Sequence, residues 1–208
     1  MLNTTRNKSI LLLVMTVLLS GCFGSGGPAT RFYLLSSLPE AGRRLSVSER
    51  APAIGVGPVR FPDYLDRPEI ATGSNPNQLN LSELHQWAEP LKNNFERVLG
   101  ENLALLIPTD SIVSFPWDRS TRIDYQIKLD VIRFLVDEHD NAALVARWRI
   151  VDWKERKTVT IRKSEIRMPV EGSGYEAIAA AQSRTLARLS EEIAGAIRLV
   201  AKSKADTP

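Results

Sequence analysis

The apolar run Ile10–Leu19 stands just ahead of Cys22, the only cysteine of the 208-residue chain. Arg6 and Lys8 precede the run, and no acidic residue occurs before Glu40. A positive segment followed by a short apolar stretch is the pattern of a secretory signal peptide. The run is too short to cross a bilayer, which takes about 20 apolar residues. A lone Cys also excludes an intramolecular disulfide and any thiolate-rich metal site. Whatever folds must therefore be held by a hydrophobic core. At 43% hydrophobic and 25% charged residues, the composition is that of a globular protein and argues against disorder or a multi-span membrane protein. The length fits one domain or a small pair.

Leu19-Ser20-Gly21-Cys22 resembles a bacterial lipobox, in which a branched apolar residue and two small residues precede a Cys that is acylated and becomes the mature N-terminus. The alternative is an ordinary secreted protein with a chance Cys at its cleavage site. Position, spacing and uniqueness favour lipid attachment at Cys22. Residues 1–21 are then a signal peptide, 22–30 an acylated Cys and tether, and 31–208 the folded domain. Removal of Arg6 and Lys8 leaves 25 basic against 24 acidic side chains, so net charge gives no argument for nucleic acid. Acyl chains contribute about 0.8 kcal/mol per buried CH₂, enough to hold the protein at a membrane. Phe23, rather than Asp, follows the Cys, which resembles the outer-membrane class under enteric sorting rules. The eight residues Phe23–Thr30 read as a flexible tether reaching at most about 26–29 Å. Such a domain stays beside its own bilayer and needs a long partner to join two membranes.

Along the domain, Phe32-Tyr33-Leu34-Leu35 and Ala53–Val59 read as strands, and residues 69–81 as two short strands around Gly73-Ser74-Asn75-Pro76-Asn77. From Leu84 the period changes. Leu84, Ala88, Leu91, Phe95, Val98, Asn102 and Leu106 recur at helical spacing, which predicts a helix with Pro90 in its first turn. Residues 123–136 alternate as a strand. Ile132, Phe134 and Val136 fall on the opposite face from Ile123–Val131, which predicts cover on both sides near the strand's end. Ala143–Val151 and Thr158–Met168 follow as strands joined by a polar turn. After Gly172-Ser173-Gly174, the positions Tyr175, Ile178, Gln182, Leu186, Leu189, Ile193, Ala196 and Val200 mark a long helix, frayed from Lys202. The expected fold is α+β: a single domain with a mixed, largely antiparallel sheet and two long helices packed on it.

Templates for chemistry mostly fail. Gly55-Val56-Gly57 is followed by Pro58 and does not make a phosphate-binding turn; close backbone packing fits it better. Gly172-Ser173-Gly174 lacks the spacing of a nucleophile elbow, and Ser173 fits a helix N-cap. His85 and His139 have no second His or Cys to complete a zinc site. No catalytic, cofactor or metal residues are assigned. Between Leu144 and Met168, eight basic residues face three acidic ones. These charges could meet anionic lipid or an acidic partner, or could form a solvated hairpin whose charge blocks edge pairing. Arg147 and Arg149 share one strand face while Lys154, Arg156 and Lys157 fall in the turn, which favours the hairpin. Trp87, Trp117, Trp148 and Trp153 fit core or rim positions better than a ligand box.

Several segments together carry a resemblance: the lipobox, Phe32-Tyr33-Leu34-Leu35, Ile54-Gly55-Val56-Gly57-Pro58-Val59, Pro62-Asp63-Tyr64-Leu65-Asp66-Arg67-Pro68, Leu84-His85-Gln86-Trp87-Ala88-Glu89-Pro90-Leu91, and the closing amphipathic helix. They resemble the PqiC/YmbA-type lipoproteins, the auxiliary lipoprotein component of ABC-type and paraquat-inducible transport systems. The Tyr-Leu-Asp-Arg-Pro and Trp-Ala-Glu-Pro-Leu segments are its specific parts. The resemblance implies a non-enzymatic, cofactor-free lipoprotein of the outer membrane that faces the periplasm. Its implied partner is an inner-membrane-anchored MCE-domain (PqiB-like) protein, in a system moving phospholipid between membranes and supporting envelope integrity. Such a ring-forming partner makes a homo-oligomer an expectation as well. No binding residues are assigned. The rival readings are a lipoprotein that assembles or pilots another outer-membrane complex, and a lipid-anchored periplasmic hydrolase.

Overall fold

In a computed structural model of the chain, the described residues are 27–40, 51–75 and 77–206. Cys22 and the signal segment lie outside them. Ten regular elements follow in order: β1 (Arg31–Tyr33), β2 (Ile54–Arg60), β3 (Glu69–Asn75), β4 (Gln78–Trp87), α1 (Leu91–Leu106), β5 (Ile112–Ser114), β6 (Tyr125–Val136), β7 (Asn141–Asp152), β8 (Lys157–Pro169) and α2 (Gly174–Ala205). A 3₁₀ turn spans Asp63–Leu65. This is the expected α+β domain, with a mixed eight-stranded sheet and two long helices.

The twelve-residue strand β6 is the spine of the sheet. Along one side it pairs antiparallel with β7, which pairs antiparallel with β8. On its other side, the first half of β6 runs parallel to β2, which carries β5. The last residue of β6, Val136, meets Thr72 of the β3–β4 hairpin, and β1 adds to β4 in parallel. Both helices pack on one face: α1 over β2 and β5, α2 over β6, β7 and β8. Phe95 of α1 is fully buried between Phe61 and Phe134, with ring centroids 5.2 and 5.3 Å away in edge-on contact. Leu91, Phe95 and Val98 share one core with Leu129 and Val131, as the two periodicities together require.

Three expectations need correction. Residues 84–87 end β4 rather than begin a helix, so Leu84 and Ala88 are not on the stripe of α1. The N–H of Trp87 donates to Pro68 O (2.7 Å) and that of Ala88 to Tyr33 O (2.9 Å), committing both to extended partners. Pro90 then stands at the N-cap, because a residue before proline avoids helical dihedrals. Second, the end of β6 is covered on both sides as expected, with Phe134, Leu135 and Val136 all buried, but Phe134 and Val136 do not lie on the reversed face. A bulge between Val131 and Arg133 leaves Ile132 unpaired and exposed, and restores Phe134 and Val136 to the helix-covered face. Third, α2 does not fray at Lys202. It continues to Ala205, where Lys204 pairs with Asp152 and Glu155. The short strand β5 carries no sequence signal of its own and exists because β2 offers it an edge.

Candidate functional site

The two segments specific to the resemblance, residues 64–68 and 87–91, are separated by residues 69–86 in sequence and lie side by side in space. In the first, Leu65 is buried and locks the 3₁₀ turn, while the Tyr64 hydroxyl donates to Ile132 O at 3.3 Å. Burial pushes the Tyr64 phenol above its ordinary pKa, partly offset by the Arg133 guanidinium. Pro68 and Glu69 then run beside Gln86 and Trp87. In the second segment, Trp87 is core. Glu89 accepts from Arg97 Nη2 (2.9 Å) and Asn94 Nδ2 (2.6 Å). The Arg97 hydrogen bond is the main reason the Glu89 carboxyl stays below the usual carboxylate range.

Between these segments opens a groove of about 370 Å³, lined by Phe32, Arg67, Pro68, Gln86, Glu89 and Pro90 among others. Phe32 is 62% exposed on β1, which among the described residues is an edge strand with one free side. The groove offers an aromatic ring, two prolines, a guanidinium and backbone, which suits an apolar or extended protein segment. Glu89 is already ionised and committed to Arg97, so it is poorly placed to act as a general acid.

The chain leaving this region is strapped by side chains to which the sequence reading gave no such role, although it placed Asn102 on the helix stripe. Leu35 N–H donates to Asn94 Oδ1 (2.6 Å), Ser36 N–H to Ser183 Oγ (3.0 Å) and Leu38 N–H to Asn102 Oδ1 (2.7 Å). Asn94 and Asn102 lie two turns apart on α1, both fully buried. An asparagine on an otherwise apolar helix face was the available signal, since buried amides need partners.

The remaining candidates have structural roles. His85 lies in β4, stacked on Tyr175 at 4.0 Å and accepting from or donating to the Tyr33 hydroxyl at 2.7 Å. His139 sits in the β6–β7 turn, its N–H on Asp137 Oδ1. Among the described residues, no group of three His, Cys, Asp or Glu side chains could hold a metal. Ser173 is at the N-cap of α2 without a side-chain capping bond. A Cβ on Gly55 would lie 2.8 Å from the Trp117 ring, and Gly57 has φ +116° with Phe115 close by, so both glycines serve close packing. Trp148 is core, its Nε1–H on Ser164 Oγ (2.9 Å), whereas Trp117 and Trp153 meet edge-on at the rim. No described helix is long and apolar enough to cross a membrane.

Residues 33–194 match the family described as ABC-type transport auxiliary lipoprotein component. The chain belongs to this family. The match runs from the last residue of β1 to about two-thirds of the way along α2 and includes both segments at the groove. The family is a component of transport systems and not a known enzyme family. Among solved structures, a Xanthomonas campestris protein, XCC0632, of the DUF330 family is similar at 17% identity with a TM-score of 0.67. That likeness covers 85% of this chain and 100% of the other. A second crystal structure, of an uncharacterized protein, is similar at 18% identity and TM-score 0.67, covering 81% of this chain and 99% of that one. These likenesses show the fold. No curated protein matches the sequence.

Proposed function

We propose that this member of the family is a periplasm-facing outer-membrane lipoprotein, acylated on Cys22, that docks an MCE-domain partner of an intermembrane phospholipid transport system. Family membership over residues 33–194 carries the reading. Two further features support it. An eight-residue tether holds the domain at its own membrane, so traffic between membranes requires a long partner to arrive. The segments specific to the resemblance also converge on one open groove with an exposed aromatic at its lip. The role is that of a platform with no turnover of its own, and several copies would meet a ring-shaped partner.

The test is a pull-down of tagged protein from detergent-solubilised envelopes after crosslinking, followed by mass identification. The expected catch is an MCE-domain protein, reduced in a Phe32→Ala/Arg67→Glu variant. Recovery of secretin or barrel-assembly subunits without any MCE-domain protein would overturn the assignment in favour of a piloting role.

A further inference from the structure

Among the described residues, the face of the sheet away from the helices carries no secondary-structure element, and strand register gathers basic side chains there from four strands. Lys128 of β6 lies directly opposite Arg149 of β7, and Arg147 of β7 opposite Lys163 of β8. Arg60 of β2 joins the Arg147 row through Asp130. Beyond the bulge at Ile132, Arg133 pairs with Val145, which places it on this face too. Every one of these cations is exposed except Lys128, which is half-buried.

Few of these charges are neutralised. Arg60 pairs with Asp130 at 3.7 Å, Lys163 with Glu165, and Arg167 with Asp137 at 3.9 Å. Lys128, Arg133, Arg147 and Arg149 have no carboxylate within 4.0 Å among the described residues. Like charges directly across a strand pair destabilise a sheet, and this face has two such pairs. A hairpin needing only to block edge pairing would carry its charge on the outer edge of β8 and in the turn. Here the charge crosses the middle of the sheet instead. Trp117 covers one end of the face at Gly55, and Tyr64 borders the other at Ile132. Ile161, 73% exposed, projects beside Arg149.

We propose that this open face binds an anionic phospholipid surface through its unpaired cations, with Ile161 entering the headgroup layer. The occupant rests on the membrane anchoring proposed above: a tether of eight residues keeps Arg31, where the domain begins, within about 26–29 Å of acyl chains. A broad, uncovered array of long cationic side chains with one projecting apolar residue suits a plane of phosphates. The charge balance of the whole domain is nearly even, so the effect comes from placement.

The experiment uses the entire mature chain, residues 22–208, with Cys22→Ser so that no acyl group contributes. Sedimentation is measured with phosphatidylcholine vesicles, pure or with about a third phosphatidylglycerol. Wild type should bind only the charged vesicles and be released at about 0.5 M salt. Each cation removed should weaken binding about five-fold, hence about 25-fold for Arg147→Gln/Arg149→Gln. Lys128→Gln/Arg133→Gln must reproduce the loss, with unchanged thermal unfolding. The control Lys92→Gln/Lys202→Gln, on the helices, should bind as wild type. Equal binding to uncharged vesicles, equal loss in the control, or no binding by wild type would overturn the proposal. Crosslinking of this face to an acidic protein, with the vesicles ignored, would reassign it to that partner. The vesicles contain no protein, so this outcome and that of the envelope pull-down are independent.

Discussion

Phe95 and Asn94 are neighbours on α1 and are buried for opposite reasons. Phe95 fills the space between Phe61 and Phe134, so Phe95→Ala leaves a cavity that the surrounding helices and sheet close only in part. A loss of about 3–5 kcal/mol is expected by denaturant unfolding. A loss below about 1 kcal/mol would place this helix face outside the core. Asn94 is buried where its Oδ1 accepts from Leu35 N–H, which has no other partner among the described residues. Asn94→Leu keeps the volume close and leaves that donor unsatisfied, which costs about 1–3 kcal/mol. Hydrogen exchange should quicken at Leu35 first. Asp152 supplies a pH signature. Burial raises its pKa, but the Lys204 ammonium and the N–H groups of Glu155 and Lys154 outweigh burial and hold it below the ordinary 3.8. A lowered folded value means the stabilisation is present above 3.8 and is lost as pH falls through the folded value. Asp152→Asn should therefore lower Tm at neutral pH and lower it less at about pH 3. Equal destabilisation at both pH values would show that the ion pair contributes nothing.

At the scale of elements, departures from simple periodicity mark where one element meets another. The boundary between β4 and α1 is set by Pro68 O and Tyr33 O, which take the N–H groups of Trp87 and Ala88. The bulge in β6 keeps Phe134 in the core while turning Ile132 outward, and it also brings Arg133 to the basic face. The close approach of Trp117 to Gly55 joins the segment after β5 to β2. Gly55→Val should force Trp117 away and cost about 1–3 kcal/mol through overpacking. Tryptophan emission should shift to longer wavelength; an unshifted spectrum with wild-type stability would mean that Trp117 does not pack there. At the far end, Arg198 donates to Leu106 O, so a side chain of α2 caps the last turn of α1.

For the whole molecule, the decisive questions concern the membrane. Cys22→Ala should abolish labelling by radioactive fatty acid and leave the precursor uncleaved by the lipoprotein-specific peptidase. Labelling that persists on the variant would remove the anchor. Wild type should fractionate with the outer membrane, since Phe23 follows Cys22. Clean inner-membrane fractionation would place the platform on the other side of the periplasm. The groove near Phe32 and the basic face belong to the same domain but to different surfaces, one at the β1–β4 edge and one across β6–β8. The two proposed roles therefore use separate surfaces.

The sequence alone determined features that depend on neighbours along the chain. The stripes of α1 from Leu91 and of α2 repeat within a turn or two, and the alternation of β6 repeats every second residue. The proposed targeting segment up to Cys22 and the proposed tether likewise rest on local residues, as do the short motifs that carry the family resemblance. The tertiary structure decided what depends on register between distant segments. Nothing near Lys128 in sequence says that Arg149 will stand opposite it. That pairing follows from how β6 and β7 align along twelve residues and from the bulge that one strand absorbs. In the same way, Asn94 and Asn102 reveal their purpose only when the segment 35–38 passes over α1 with its N–H groups unmet. Side-chain periodicity is set by the geometry of one element. The meeting of charges, amides and grooves is set by packing between elements, which minimises buried unsatisfied groups over the whole chain at once.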